Sequence, residues 1–462
     1  MLEVVRDRVR RATPREILVA GWIAFMVYAY PGYMSFDSVY QLGEARSGVF
    51  SDGHPPAMAE LWRLVDSVVA GPVGMLLIQS TCFLAGLYLL FRRRMPARIS
   101  AFVAIGVLLF PPITSLMAVI WKDSQMTAFL VLGTALMLDD NRRRKIAGLA
   151  FLVAGTAMRH NALVMTFPLV VMLFQWSATH RFWKRHALAL VAWIAVTGTA
   201  QIVSRVLTTE QRHIWVNSLA LCDITSTLRY VPDTIPDAQL EAELAGTPVI
   251  PTHDLHVHAR GQELGAPVDA LWNSAYAFFA IPKDEAERAA VTRAWRTIVF
   301  GHFGAYLTYR LEVFRRVLGL IDIPLTSPVY NWFTDVQDPW GSGAKIGHDA
   351  AAGKLQNLLR AGIHIVGATY VFYVLVYVVL ALLLVPFAFR DRTVLALLVS
   401  AIFGEGIMFV IAPTTDWRYS FWTILSVVLA IVLLVARRLY RVTDREDHEA
   451  VVGLAGSDPV RA

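Results

Sequence analysis

Charge is what this sequence has least of. Asp, Glu, Lys and Arg make up 17% of its 462 residues, where soluble chains carry roughly 25%. That deficit, beside 56% hydrophobic residues, excludes an ordinary soluble surface and is what burial in lipid produces. Cysteine is nearly absent. Cys82 lies inside an apolar run and Cys222 in a polar region, so neither a disulfide framework nor a thiolate zinc site follows. There is no HExxH, no Walker glycine loop and no strand-coupled GxGxxG, which leaves protease, NTPase and dinucleotide chemistry without support. An internal repeat is also lacking, and the only biased segment is the charged tail after Arg441.

What the chain does have is long apolar runs. They fall at Ile17 to Tyr33, Val73 to Phe91, Ile99 to Ile120, Met126 to Leu138, Ile146 to Ala157, Leu163 to Trp176, Ala187 to Val206, Ile363 to Phe387, Val394 to Ile411 and Phe421 to Ala436. The expectation is an all-α polytopic membrane protein of about ten transmembrane helices, with an external, mainly helical region. The formal charge of +6 does not point to nucleic acid. Its arginines sit in short connectors rather than in one stripe able to track a phosphate backbone. Arg92 to Arg94 with Arg98, Arg142 to Lys145, Arg181 with Lys184 and Arg185, Arg390 with Arg392, and Arg437 with Arg438 and Arg441 alternate with acidic, aromatic connectors. By the positive-inside rule these are cytoplasmic loops. Both termini are then cytoplasmic, the basic start reads as a retained anchor, and the acidic connectors face outward from the plasma (inner) membrane.

This gives four regions: 1–206, a transmembrane module with the first external loop; 207–360, external; 361–440, the last transmembrane helices; and 441–462, a cytoplasmic tail. Met126 to Leu138 and Ile146 to Ala157 are shorter than the roughly 20 residues a span needs, so both must borrow flanking residues. Fusing Ile146 through Phe174 into one helix would put Arg159 at mid-bilayer, at about 2.5 to 3.5 kcal/mol on insertion scales. A hairpin with Arg159, His160 and Asn161 at the outer surface is the expected alternative. In the external region, Ala294 to Leu320 places Ile298, Phe303, Leu307, Leu311, Phe314 and Leu318 at helical spacing among arginines. That pattern suits an interfacial helix or equally a helix packed in a soluble cap.

The polar residues expected outside form one constellation. The first loop carries Asp37, Tyr40, Glu44, Gly48, Asp52 and His54-Pro55-Pro56. Asp37 follows the first run directly, where partial desolvation is expected to raise a carboxylate's proton affinity and make it a better base toward a hydroxyl. The competing role is a helix cap. Lys122 with Asp123, Arg159 with His160 and Asn161, and Asp416 with Arg418 and Tyr419 arrive at the same level from three hairpins. Guanidinium groups match phosphate oxygens in bidentate geometry, so cations gathered there suit a lipid phosphate. Each cation alone has a simpler explanation in snorkelling to the interface. His253, Asp254, His256 and His258 match no zinc spacing, and no metal site is assigned.

Asp37 followed by Tyr40, Gly48 and His54-Pro55-Pro56 resembles the first-loop signature of the GT-C superfamily, membrane glycosyltransferases that use polyprenyl-phosphate sugars. Arg418-Tyr419 before the last run resembles that superfamily's late arginine motif. The resemblance covers the membrane part loosely and leaves Leu207 to Arg360 mostly unassigned. It implies Asp37 as catalytic base, Arg159 and Arg418 as binders of the lipid phosphate, and His54 as shaping the first loop, while Lys122 joins the donor phosphate from the gathering of cations alone. Asp52, Asp123, His160, Asn161, Asp416 and Tyr419 complete the expected site. Many members carry a second acid beside the first-loop aspartate, where this chain has Ser38. No cofactor is therefore firmly implied, although a divalent cation is compatible. The implied partners are a polyprenyl-phosphate sugar, a glycan, lipid or protein acceptor, and the bilayer. The competing function is a transporter or flippase of an anionic or lipid-linked substrate, which would place ionisable groups at the membrane midplane. A third is an envelope scaffold, for which Asp37 would be dispensable.

Overall fold

In the computed structural model, residues 12–177, 181–250, 254–261, 278–320, 353–412 and 415–455 are described, with side chains to residue 440. They form helices joined by short turns, and β-structure among the described residues is limited to isolated bridges. The first helices are α1 (Pro14–Ala29), α2 (Phe36–Ser47), α3 (Ala57–Asp66), α4 (Val73–Arg92), α5 (Ala97–Leu108) and α6 (Pro111–Met117). There follow α7 (Lys122–Met137), α8 (Arg142–Met158), α9 (Ala162–Leu173) and α10 (Phe182–Leu207). The intervening region holds a π-helical turn running into α11 (Leu221–Leu228), then α12 (Asp237–Glu243), α13 (Leu255–Arg260), α14 (Glu285–Gly301) and α15 (Phe303–Val317). The chain ends with α16 (Lys354–Gly367), α17 (Val374–Ala388), α18 (Arg392–Ile411) and α19 (Phe421–Ala455).

Among the described residues, four helical stretches are long and apolar enough to cross a membrane: α4, α10, α18 and Trp417–Tyr440, a 3-10 turn running into α19. The pair α5 and α6, bent by 73°, makes a fifth if taken as one span. The expected count of ten is corrected to four or five on this criterion. The run from Ile99 to Ile120 breaks at Pro111-Pro112, because proline lacks the donor that would continue the ladder. The run from Ile363 to Phe387 divides into α16 and α17 at a 3-10 turn, Tyr370–Phe372. Helices α1, α7, α8, α9 and α17 coincide with expected runs, but at 16, 16, 17, 12 and 15 residues they fall short of the roughly 20 needed. The hairpin is present, since α8 and α9 are separate helices joined through Arg159 to Asn161. Helix α10 turns Val191, Ile194, Ile202 and Val206 outward, which is the apolar surface that a lipid-facing helix requires.

Glycines set the closest approaches. A Cβ on Gly133 would lie 2.9 Å from the Gly148 carbonyl, one on Gly148 would lie 2.5 Å from Met137 N, and one on Gly86 would lie 2.6 Å from Leu132 N. Helices α4, α7 and α8 therefore pack backbone against backbone, as small residues allow in membrane bundles. One large core joins the bundle helices, and a second, centred on Leu221, Ile224, Leu240, Val291 and Ile298, lies in the intervening region. The expected single helix Ala294 to Leu320 is two, broken at His302. Its expected apolar face is only partly inside: Ile298 is buried, while Phe303, Leu307 and Leu311 are exposed and Tyr309, Val313 and Val317 face the bundle.

Candidate functional site

The site is built at one end of the bundle by pinning the first loop to the turn before α7. Tyr33 N donates to the Ala118 carbonyl and Ile120 N to the Tyr33 carbonyl, both at 2.9 Å. Ser35 caps α2 in a reciprocal arrangement with Ser38, and Ser38 Oγ also donates to the Ile120 carbonyl at 2.7 Å. Ser38 is fully buried, so the second acid common in the GT-C signature would here meet a carbonyl oxygen. Asp37 thereby lies in the first turn of α2, where unpaired backbone N–H groups favour a carboxylate. The helix ends cleanly at Gly48, whose φ of 70° is costly for a residue bearing a Cβ.

Two cations and a histidine surround Asp37. Arg418 lies 2.7 Å from its Oδ2, Lys122 Nζ lies 3.8 Å from the same oxygen, and His54 Nε2 lies 3.9 Å from Oδ1. Burial pushes the Asp37 carboxyl up, but Arg418, then Lys122 and His54, outweigh it and hold the group well below the usual carboxylate range. This corrects the expectation of a raised proton affinity. Desolvation is real, yet opposite charges at contact distance dominate it. Asp37 and His54 are also the openest members, with 26% and 23% of their side-chain surface exposed.

The remaining members pair acid with base. Arg159 forms an ion pair with Asp123 and lies 4.8 Å from the centre of the Tyr419 ring. Arg418 reaches Asp416 through Nε at 2.7 Å and lies 4.7 Å from the Trp121 ring centre. Asp416 accepts from Arg418 N and so also caps the turn that presents it. Lys122, Arg159 and Arg418 are thus each matched by one of Asp37, Asp123 and Asp416, and the cluster is balanced in charge. Asp123 Oδ2 and Asn161 Nδ2 are buried without a hydrogen-bond partner, and buried polar atoms are seldom left so.

The expected residues therefore converge, though not equally. Asp37, His54, Lys122, Asp123, Arg159, Asp416, Arg418 and Tyr419 form the centre. His160 is exposed at its edge, and Asp52 is turned to the backbone of Arg212, accepting at 2.7 Å. Trp121 was not singled out, although its place beside Lys122 was visible. It supplies the aromatic face under Arg418 and donates to Ser35 Oγ at 2.6 Å. Glu44 is also part of the first loop's frame, accepting from Ser51 N and Oγ. Among the described residues no group of three or more His, Cys, Asp or Glu could hold a metal ion. His256 instead faces the Ile235 carbonyl at 2.9 Å, and His253 lies outside the described residues. Comparison with protein-family models, curated proteins and solved structures returned no match for this chain.

Proposed function

We propose that the protein is a membrane glycosyltransferase of GT-C type. It transfers a sugar from a polyprenyl-phosphate donor to an acceptor hydroxyl at the extracytoplasmic face of the plasma membrane. The observation that carries this reading is the meeting of Asp37 with Lys122, Arg159 and Arg418, brought from four separate connectors to one end of an apolar bundle. The proposal includes a multi-pass arrangement with both termini cytoplasmic.

In this mechanism the donor phosphate takes over cations that Asp37 holds at rest. A phosphate accepts from Arg418 and Lys122 in bidentate and point-charge fashion. As those charges turn to the phosphate, the carboxylate loses its strongest partners and regains proton affinity. The acceptor O–H bond then breaks toward Asp37 as its oxygen bonds to the anomeric carbon. The anomeric C–O bond breaks with its electron pair going to the polyprenyl phosphate. Arg159 and Arg418 stabilise the charge gathering on that leaving group in a site of reduced dielectric. No second carboxylate and no metal are needed for this sequence.

The transporter reading has one observation in its favour. Glu405, 2% exposed within α18, accepts from Ser420 Oγ at 3.0 Å and leaves its second oxygen without a partner. A carboxylate inside a span is often functional. Reconstituted protein distinguishes the two. A transferase converts a polyprenyl-phosphate sugar and loses that activity in Asp37→Asn, with Glu405→Gln retaining it. A transporter moves substrate without converting it and fails in Glu405→Gln.

A further inference from the structure

The expectation for His54 was only that it shapes the first loop. Its surroundings are more specific. Lys122 Nζ lies 2.6 Å from His54 Nδ1. An ammonium has donors and no acceptor, so Nδ1 must be the accepting nitrogen and the ring proton resides on Nε2. That N–H faces Asp37 Oδ1 at 3.9 Å, too far for a direct hydrogen bond. The ring is held from its other side by Tyr40, edge-on at 5.4 Å between centres. Burial and the Lys122 charge push the imidazole down to about 3, with Asp37 opposing, so the ring is neutral at ordinary pH.

The gap has chemical meaning. An oxygen about 2.8 Å from both Nε2 and Oδ1 would see them at an angle of roughly 90°, close to what an sp3 hydroxyl offers between its proton and a lone pair. Nε2 is a donor and the carboxylate oxygen an acceptor, so the pair is complementary to a hydroxyl. Both groups belong to the open part of the cluster, whereas Asp123 and Asp416 are almost wholly enclosed.

We propose that His54, fixed by Lys122 as the neutral Nε2–H tautomer, is a further catalytic residue that binds the acceptor hydroxyl by donating to its oxygen. The hydroxyl proton is then directed at Asp37 and one lone pair is left free for the anomeric carbon. This inference rests on the transferase reading and adds the acceptor subsite to it. Lys122 acquires two duties, as a phosphate ligand and as the positioning group for the imidazole. The acceptor is selected as an alcohol, because an amine or an ether cannot both accept from Nε2 and deliver an acidic proton to Oδ1 with equal ease.

Two amide substitutions separate the nitrogens. Glutamine places its amide near Nε2 of the native ring, and asparagine places its amide near Nδ1. His54→Gln therefore keeps a donor toward the hydroxyl, and His54→Asn keeps only a partner for Lys122. The full-length chain in proteoliposomes would be given a polyprenyl-phosphate sugar and an alcohol acceptor. His54→Asn is expected to lose transfer by about 100-fold in kcat while still binding polyprenyl phosphate as wild type does. His54→Gln is expected to stay within about tenfold of wild type. The reverse ranking, or equal activity in both variants, would overturn the assignment. In parallel, 15N-histidine NMR of the wild type, with His54 identified by loss of its signal in His54→Gln, should report the Nε2–H tautomer from pH 5 to 8. A protonated ring or the Nδ1–H tautomer would overturn it whether or not transfer is observed. Wild type that converts no donor but retains the Nε2–H tautomer would remove the transferase reading and the catalytic role together, leaving only the Lys122 contact.

Discussion

Two arginine–aspartate pairs in this molecule use the same chemistry to opposite ends. Arg310 and Asp223 join α15 to α11 in the intervening region, with side chains 6% and 10% exposed. Every direction of that pair is answered. Arg310 also donates to the Ala412 carbonyl and to Tyr306 Oη, each at 3.1 Å, while Asp223 accepts from Trp295 Nε1 at 2.9 Å. Arg418 and Asp37 meet at the end of the bundle without such neutral donors. Asp37 is shared among three basic groups and a quarter open, and nearby polar atoms are left unanswered. A pair that is closed on all sides is a fastener. A pair that is open and over-subscribed can exchange partners with a ligand, as the proposed phosphate-dependent transfer requires.

The contrast is broken most severely by neutralising each acid. Asp223→Asn leaves Arg310 buried without its counter-charge, and breaking such pairs costs about 3 to 5 kcal/mol. The variant should unfold early in detergent, as read by its thermal midpoint. Asp37→Asn, in which Arg418 keeps Asp416 as a partner, should lower that midpoint by less and cut transfer by about 10²- to 10⁴-fold, the range associated with a positioned base. If Asp37→Asn unfolds the chain and Asp223→Asn does not, the two pairs have been assigned the wrong way round.

The next effect is one of pH. His54 is held neutral with its affinity lowered to about 3, against about 6.5 in an unfolded chain. Its contribution to stability is therefore complete above about pH 6.5 and declines as pH falls toward 3, because the unfolded chain binds the proton first. Asp37, also depressed, loses its contribution only below the ordinary carboxylate range. The thermal midpoint of wild type should fall between pH 6.5 and 4, and that of His54→Gln should fall less over the same interval. The smallest expected change is at Trp121. Trp121→Leu removes the ring under Arg418, at about 1 kcal/mol, or roughly fivefold in affinity for polyprenyl phosphate measured by titration.

Much of this site could be read along the chain because its members sit in short connectors between apolar runs. Asp37, Lys122, Arg159 and Arg418 each stand out against apolar neighbours, and the alternation of basic connectors aligned them at one level. The Asp223–Arg310 pair could not be found that way, since 87 positions separate its members and neither lies in a motif. The direction of the Asp37 shift was also hidden. Burial was inferable from its position after the first run, but the 2.7 Å contact to Arg418 was not. Helix lengths misled for a related reason. Hydropathy does not register that α7 starts with buried Lys122 and Asp123, or that Pro111-Pro112 bends a run that is apolar throughout. Trp121 was obscured by its type, because an aromatic residue at the end of a span ordinarily reads as an interface anchor.

The central claim is tested most directly by donor conversion. Purified protein in proteoliposomes would be supplied with radiolabelled polyprenyl-phosphate sugars and envelope extract, with Asp37→Asn and Arg418→Ala as folded controls. The account predicts that wild type transfers label from one class of donor and that both variants lose it. It is contradicted if no donor is consumed, or if Asp37→Asn transfers as wild type does.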